Sequence, residues 1–395
     1  MNTAAAVPTT ADQPTPNAEP VARVLEVRFT GSGSEYFRIW AINLLLILLS
    51  CGLYLPFAKI RRIRYLYANT LIDGEALAFH GDAGKMFRGF VLLAVLMLAY
   101  TLAGEFAPAA ALPAFVLLCV VWPALWRASM QFRLGNTSWR GLRFGFEGSL
   151  TGAYLAHLPV YIPMAVLTAL VPDGQGPSSD PGVNSQFWFA VTLALLCLMA
   201  PWSTVLLKRY QHRGYRVAGE RSEIVLRTRS VYFIGFKTVM AGVAMFLLAI
   251  VAAAIVTGCL LVLAHFGGVE AKSARSYFGL ACVGLLYLFG AGGLLPYYAA
   301  RIQNLVWGNT RSASLRFHSE LTGLTRLNLR NWLLIVLTLG LYRPFAAMAT
   351  TRLRLQAVRI ASSTDPATWT ASRAGRHADA SGDVAGDFFG MDVGL

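Results

Sequence analysis

The sequence predicts an all-α polytopic membrane protein: six long transmembrane helices plus two shorter, broken or re-entrant segments, with short cytoplasmic β-like strands and basic interfacial helices. Three observations carry that prediction. The 395-residue chain is 56% hydrophobic and only 14% charged, with mean hydropathy +0.52, whereas soluble globular chains carry roughly a quarter charged residues. Its apolar residues fall in stretches of transmembrane length. Most of its arginines stand in short runs beside those stretches, as in Lys59-Ile60-Arg61-Arg62-Ile63-Arg64, the placement of the positive-inside rule.

Residues 1–22 are rich in Ala, Pro and Thr and lack the basic start and apolar run of a cleavable signal peptide. They read as a disordered tail, residues 23–360 as a single multi-pass domain, and the Ala-, Gly-, Ser- and Asp-rich residues 361–395 as a second tail. A helix needs about 20 apolar residues to cross the hydrocarbon core. Six stretches meet this: 87–105, 109–126, 150–171, 187–207, 237–265 and 277–299. Two more, 39–57 and 331–348, are interrupted by a Gly-Leu-Tyr-X-Pro-Phe-Ala break at Gly52–Ala58 and Gly340–Ala346. The connections 59–86, 127–149, 208–236 and 300–330 are strongly basic and are expected in the cytoplasm.

Internal repeats organise these segments. A proline followed thirteen residues later by Asn-Thr occurs as Pro56 with Asn69-Thr70, Pro123 with Asn136-Thr137, and Pro296 with Asn309-Thr310. Pro201 with Gly214 is a degenerate copy. Pro344 begins a truncated fifth, in which Arg352 stands where Arg64 stands after Pro56. Proline opens a helix readily, so each copy predicts a break followed by a basic interfacial helix, with Lys59, Arg61, Arg62 and Arg64 in the first and Lys208 and Arg209 in the degenerate one. Each cation near anionic lipid contributes about 1 kcal/mol. Asn-Thr then reads as a helix stop, with recognition of an anionic ligand as the alternative. Downstream comes a strand-like Phe-X-Gly piece at Phe29-Thr30-Gly31, Phe79-His80-Gly81 and Phe146-Glu147-Gly148, and several such pieces could pair into a small sheet.

The first short segment is preceded by the Phe-X-Gly piece and followed by a basic helix, so both its ends are expected on one side. Asn331 to Arg352 aligns without a gap on Asn43 to Arg64 and behaves alike. The termini are then cytoplasmic. The alternative, eight ordinary spans with both termini outside, leaves Arg352, Arg354 and Arg359 on the wrong side.

The string Gly31-Ser32-Gly33-Ser34-Glu35-Tyr36-Phe37-Arg38-Ile39-Trp40, then Asn43, Gly52-Leu53-Tyr54 and Phe57 to Tyr65 through Asn69-Thr70, resembles the YjgN-like family of bacterial inner-membrane proteins. The likeness runs over residues 22–360 and departs at Gly214-Tyr215, which stands for Asn-Thr. The resemblance implies a bacterial inner (plasma) membrane location and brings no activity with it.

No catalytic constellation emerges, and the chain is not expected to be an enzyme. The six histidines have no metal-like spacing, the five cysteines read as buried thiols, and no cofactor, metal site or nucleic-acid partner is expected. Polar groups at membrane depth are the functional candidates. These are His157, and Asn43 with Asn331 in the two interrupted segments, a pairing that points to transporter sites. A small-solute transporter or channel is the first functional reading. The alternative is a non-transporting scaffold that binds the bilayer, anionic lipids or partner proteins through its basic elements.

Overall fold

The computed structural model describes residues 23–106, 108–170, 183–266 and 290–366, with positions 279, 283, 284, 287 and 369. The segment 1–22, most of 277–289 and the residues after 370 lie outside the described residues.

The Asn-Thr pairs fix where helices end. Asn69, Asn136 and Asn309 each donate from Nδ2 to the carbonyl four residues back, at 2.8, 2.8 and 2.7 Å. Thr70, Thr137 and Thr310 do the same from Oγ1 at 2.8, 2.7 and 2.7 Å. Terminal carbonyls that a helix leaves unpaired are thereby satisfied, and a strand starts at each Thr. The Phe-X-Gly pieces fix where strands end. The rings of Phe29, Phe79 and Phe146 lie so close over Gly31, Gly81 and Gly148 that a Cβ there would meet them at 2.6, 2.5 and 2.5 Å.

Three strand pairs are tight hairpins: β3 (Thr70–Ile72) with β4 (Glu75–Phe79), β5 (Thr137–Trp139) with β6 (Leu142–Phe146), and β7 (Tyr215–Val217) with β8 (Glu220–Arg221). Their turn residues Asp73-Gly74, Arg140-Gly141 and Ala218-Gly219 all have positive φ, the turn geometry that matches strand twist. After β9 (Glu223–Ile224), a fourth pair joins β10 (Thr310–Arg311) to β11 (Leu315–Ser319). The fifth is split between the chain's two ends: β12 (Val358–Ser362) pairs antiparallel with β1 (Arg23–Leu25), and β2 (Val27–Phe29) follows after Glu26 alone. Neighbouring units join at equivalent residues, with Phe29 opposite Thr70, Phe79 opposite Thr137, Phe146 opposite Tyr215, Ile224 opposite Thr310 and Ser319 opposite Val358.

The strands form two antiparallel sheets, β2-β3-β4-β5-β6-β7-β8 and β9-β10-β11-β12-β1, which the chain joins through Glu26 and Ser222 into a ring of five units. The truncated copy at Pro344 is completed by the N-terminal strand. Arg352 Nη2 donates to the Gly31 carbonyl at 2.9 Å as Arg64 Nη2 does to Gly81 at 2.8 Å. Arg127, Arg209 and Asn304 donate to the carbonyls of Gly148, Leu226 and Leu321 in the other units.

One seam of the ring is charge-assisted. Glu220 accepts from Ser312 Oγ (2.7 Å), Ser314 N (3.0 Å) and Ser314 Oγ (2.7 Å). Burial pushes its carboxyl up, but these hydrogen bonds outweigh burial and hold it below the usual carboxylate range. A depressed folded-state value stabilises above the unfolded value of about 4.3 and is lost as pH falls through the folded one. Glu220→Gln is thus expected to cost about 1 kcal/mol at pH 7 and little below about pH 3, measurable by thermal unfolding at the two pH values. An equal cost at both would refute the seam's dependence on charge.

Among the described residues, ten α-helices and one π-helical turn (Gly290–Leu294) hang from this ring as five hairpins, each leaving one strand and returning to the next. They are α1 (Gly33–Leu49) with α2 (Leu55–Ala68), α3 (Ala83–Phe106) with α4 (Pro108–Gly135), α5 (Leu150–Leu170) with α6 (Val183–Gly214), α7 (Thr228–Phe266) with α8 (Leu295–Gly308), and α9 (Leu324–Leu337) with α10 (Arg343–Gln356). Each helix packs on its chain neighbours and α10 packs on α1, so the helices also form a cycle. Among the described residues, Ala83–Phe106, Pro113–Gly135, Ala190–Gly214 and Thr228–Cys259 are long and apolar enough to cross a membrane.

The first and last hairpins are short. The 17 residues of α1 reach about 25 Å and the 14 of α9 about 21 Å, less than a hydrocarbon core of about 30 Å. Their tips are built alike: Cys51-Gly52 and Leu339-Gly340 have positive φ, and Gly52 N and Gly340 N donate to the Ile47 and Ile335 carbonyls at 2.8 and 2.7 Å. Because α10 packs on α1, the two short hairpins are neighbours and the helical wall is low along one sector.

Several expectations need correction. The strand pieces, expected to pair into one small sheet, form two antiparallel sheets at the base of an otherwise helical fold. Pro56, Pro296 and Pro344 do open helices, but Pro123 and Pro201 lie inside continuous ones. Tyr161 Oη donates to the Cys119 carbonyl, four residues before Pro123, at 2.7 Å, replacing the hydrogen bond that proline removes. The helix α2 is the returning arm of a hairpin, packed on α1 and α3, and not a separate element lying along the headgroups. Cys51, Cys197 and Cys259 are exposed and Cys119 is half-buried, because each helix touches so few others that much of its circumference faces outward. Cys282 is outside the described residues. The structured domain also passes residue 360, with Ser362 fully buried in β12 and Trp369 packed on the strand core.

Candidate functional site

Most of the helical cations stand on the returning helices. Lys59, Arg61, Arg62, Arg64, Arg127, Arg133, Lys208, Arg209, Arg301, Arg352 and Arg354 all stand on α2, α4, α6, α8 and α10, which contain no Asp or Glu. Some of these side chains have structural partners. Arg64, Arg127, Arg209 and Arg352 bind backbone carbonyls as described, Arg301 lies over the Tyr297 ring at 5.4 Å, and Arg61 reaches Asn43 Oδ1 at 3.4 Å. Arg64 and Arg209 are thus fastened to the strand ring.

Lys59, Arg62 and Arg133 border an opening. A groove of about 800 Å³ lies between α1, α2, α3 and α4. Trp40, Leu44 and Ile47 from α1, Leu55 from α2 and Phe90 and Leu93 from α3 give it apolar walls, and Lys59, Arg62 and Arg133 also line it. Arg62 has no hydrogen-bond partner among the described residues. The buried Asn43 lies on the same wall.

Arg133 also belongs to a second group. Lys208 lies within electrostatic reach of both Arg133 and Arg354, and each has a neutral partner: Arg133 Nη2 with Met130 Sδ at 3.6 Å, Lys208 Nζ with Gln211 Oε1 at 3.0 Å, Arg354 Nε with Gln303 Oε1 at 2.9 Å. Beyond them, inside the strand ring, lies an aromatic cavity of about 310 Å³ lined by Trp139, Phe144, Tyr215, Trp307, Phe317 and Trp369.

The remaining sequence candidates are not brought together. Asn331 is buried and turned to its own hairpin, with Nδ2 3.5 Å from the Ala346 carbonyl and 3.4 Å from Thr350 Oγ1, contacts too long to be strong. His157 is buried on α5, its Nδ1 2.8 Å from the Ala153 carbonyl and its ring edge-on to Trp126. Among the described residues no group of three or more His, Cys, Asp or Glu converges to hold a metal. Sequence reasoning missed Arg133 as a candidate and used Arg354 only for topology. A signal existed: aligned on the helix stop, Arg133, Gln211 and Arg354 all stand three residues before it, and Lys208 and Gln303 six before.

A helical cycle with four long apolar helices, rooted in one strand ring, defines a multi-pass inner-membrane protein. The model of the family described as "Bacterial protein of unknown function (DUF898)" matches residues 24–388, and the chain belongs to that family. A relative named "Inner membrane protein YjgN" from Salmonella typhimurium (strain LT2) is 26% identical over 80% of this chain and 83% of its own length. The protein of the same name from Escherichia coli (strain K12) is 30% identical over 35% of each chain. No solved structure matches.

Proposed function

We propose that this protein binds an anionic amphiphile in the groove between α1, α2, α3 and α4. The observation that supports it is the pairing, within one opening, of apolar walls with the cations Lys59, Arg62 and Arg133. In this reading the chain crosses the bilayer six times. The two short hairpins stop inside it, and the basic returning helices place the ring and both termini in the cytoplasm. The hairpin tips fit, because Leu48, Leu49, Leu53, Leu337 and Leu339 are exposed there and suit hydrocarbon better than water. The low sector of the helical wall would admit an acyl chain sideways.

A path for a small water-soluble solute draws less support. Asn43 and Asn331 each face their own returning helix and do not share an opening. The activity proposed is binding, without catalysis.

The test is lipid retention by purified protein, read by native mass spectrometry. Phosphatidylglycerol is expected to be retained over phosphatidylcholine. Lys59→Gln with Arg62→Gln should weaken that preference about tenfold or more, at about 1 kcal/mol per cation, while Arg301→Gln leaves it unchanged. Equal retention of both lipids, or an unaffected double variant, would refute the groove as the site.

A further inference from the structure

We infer that Arg133, Lys208 and Arg354 form a binding site for a phosphate-class anion in the middle of the helical cycle, above the aromatic cavity of the strand ring. The helices α4, α6 and α10 are not neighbours in that cycle. Lys208 lies within electrostatic reach of both Arg133 and Arg354, which is consistent with all three facing the interior of the cycle. The inward direction has independent support. Arg133 lines the groove, its chain neighbour Leu134 lines the cavity inside the ring, and Arg354 exchanges two hydrogen bonds with Gln303 of α8, at 2.9 and 3.0 Å. Four of the five returning helices thus converge here. His212, one turn beyond Lys208, closes the floor through Thr310 Oγ1 at 3.0 Å and the Trp307 ring.

The chemistry of the group suits an anion. Among the described residues its three charges have Met130, Gln211 and Gln303 as hydrogen-bond partners, none of them an anion, and the returning helices supply no carboxylate. Lys and Arg both bind phosphate oxygens well, Arg through its planar fork and Lys as a point charge. Because Arg133 lines the groove and its neighbour Leu134 the ring cavity, the site extends the groove, and in identifying the headgroup class it rests on the amphiphile reading. The phosphate could arrive as a lipid phosphomonoester or as the free ion.

The experiment uses full-length protein in a neutral detergent. Thermal unfolding is followed with inorganic phosphate against chloride at equal ionic strength, and in nanodiscs containing phosphatidic acid against phosphatidylcholine alone. Phosphate-class anions are expected to raise the midpoint of the wild type. If only phosphatidic acid does so, the source is lipid; if inorganic phosphate also does, the seat accepts the free ion. Lys208→Gln with Arg354→Gln relieves the mutual repulsion, so its unliganded midpoint should equal or exceed that of the wild type, while its affinity for the anion falls at least tenfold. Lys208→Arg keeps the charge and should keep the response. Lys59→Gln with Arg62→Gln should keep the response to any free phosphate, so a failed groove and a failed axial seat give different patterns. No shift of the wild type by either probe, or an unaltered shift in the double variant, would overturn the inference.

Discussion

A chain ending after Gln356 is expected to lose its folded state, not merely to be destabilised. The deletion removes β12, which lies between β11 and β1 and is paired to both over Leu315–Ser319 and Arg23–Leu25. Ile360, packed with Leu25, Trp139 and Leu315 in the strand core, goes with it. Two strand edges are left unpaired, at a cost for every buried backbone group. The fifth unit also loses the half that carries its pairing. The check is recovery of monodisperse protein from membranes by size exclusion, against a chain ending after Thr370, which keeps β12 and Trp369 and should resemble the full chain. Recovery of the shorter chain in equal yield would show that ring closure is dispensable.

The second large effect concerns the degenerate copy. Restoring the repeat by Gly214→Asn should destabilise, although Asn caps the helix at the equivalent positions 69, 136 and 309. A Cβ on Gly214 would lie 2.4 Å from Cε2 of Phe146. That ring cannot swing aside, being buried and held between Tyr210 and Tyr215 at 5.4 and 6.3 Å. Overpacking of this kind costs about 1–3 kcal/mol, more than a cap hydrogen bond of about 1 kcal/mol returns. Thermal unfolding in detergent measures it, and a midpoint at or above the wild type would contradict the packing account.

The same position shows what the sequence could and could not disclose. The Asn-Thr and Phe-X-Gly spacings announced five related units and two short segments, because hydrogen bonds to a residue four back and a ring over a glycine are local interactions. Replacement of Asn by Gly at 214 looked like a defect, because its cause, Phe146, lies far away in the chain. Ring closure was hidden for the same reason: a unit whose halves sit at opposite ends of the polypeptide has no local signature. Arg352 hinted at it by matching Arg64, but its partner Gly31 is more than three hundred residues away. The cationic groups Lys59, Arg62 and Arg133, and Lys208 with Arg354, could be read as charges and not as sites, since only the cycle of helices determines which of them face inward.

Everything functional here depends on five hairpins hanging from one ring with two of them ending inside the bilayer. Labelling of single cysteines by a membrane-impermeant thiol reagent, from either side and with the other native cysteines replaced, tests this directly. Phe106→Cys at the tip of a long hairpin should label only from outside the cell, and Val24→Cys in the ring only from inside. Cys51 and Leu339→Cys at the short tips should label from neither side while the membrane is intact. Labelling of Cys51 or Leu339→Cys from outside would mean that the short hairpins cross the membrane, and the lateral opening proposed for the amphiphile would not exist.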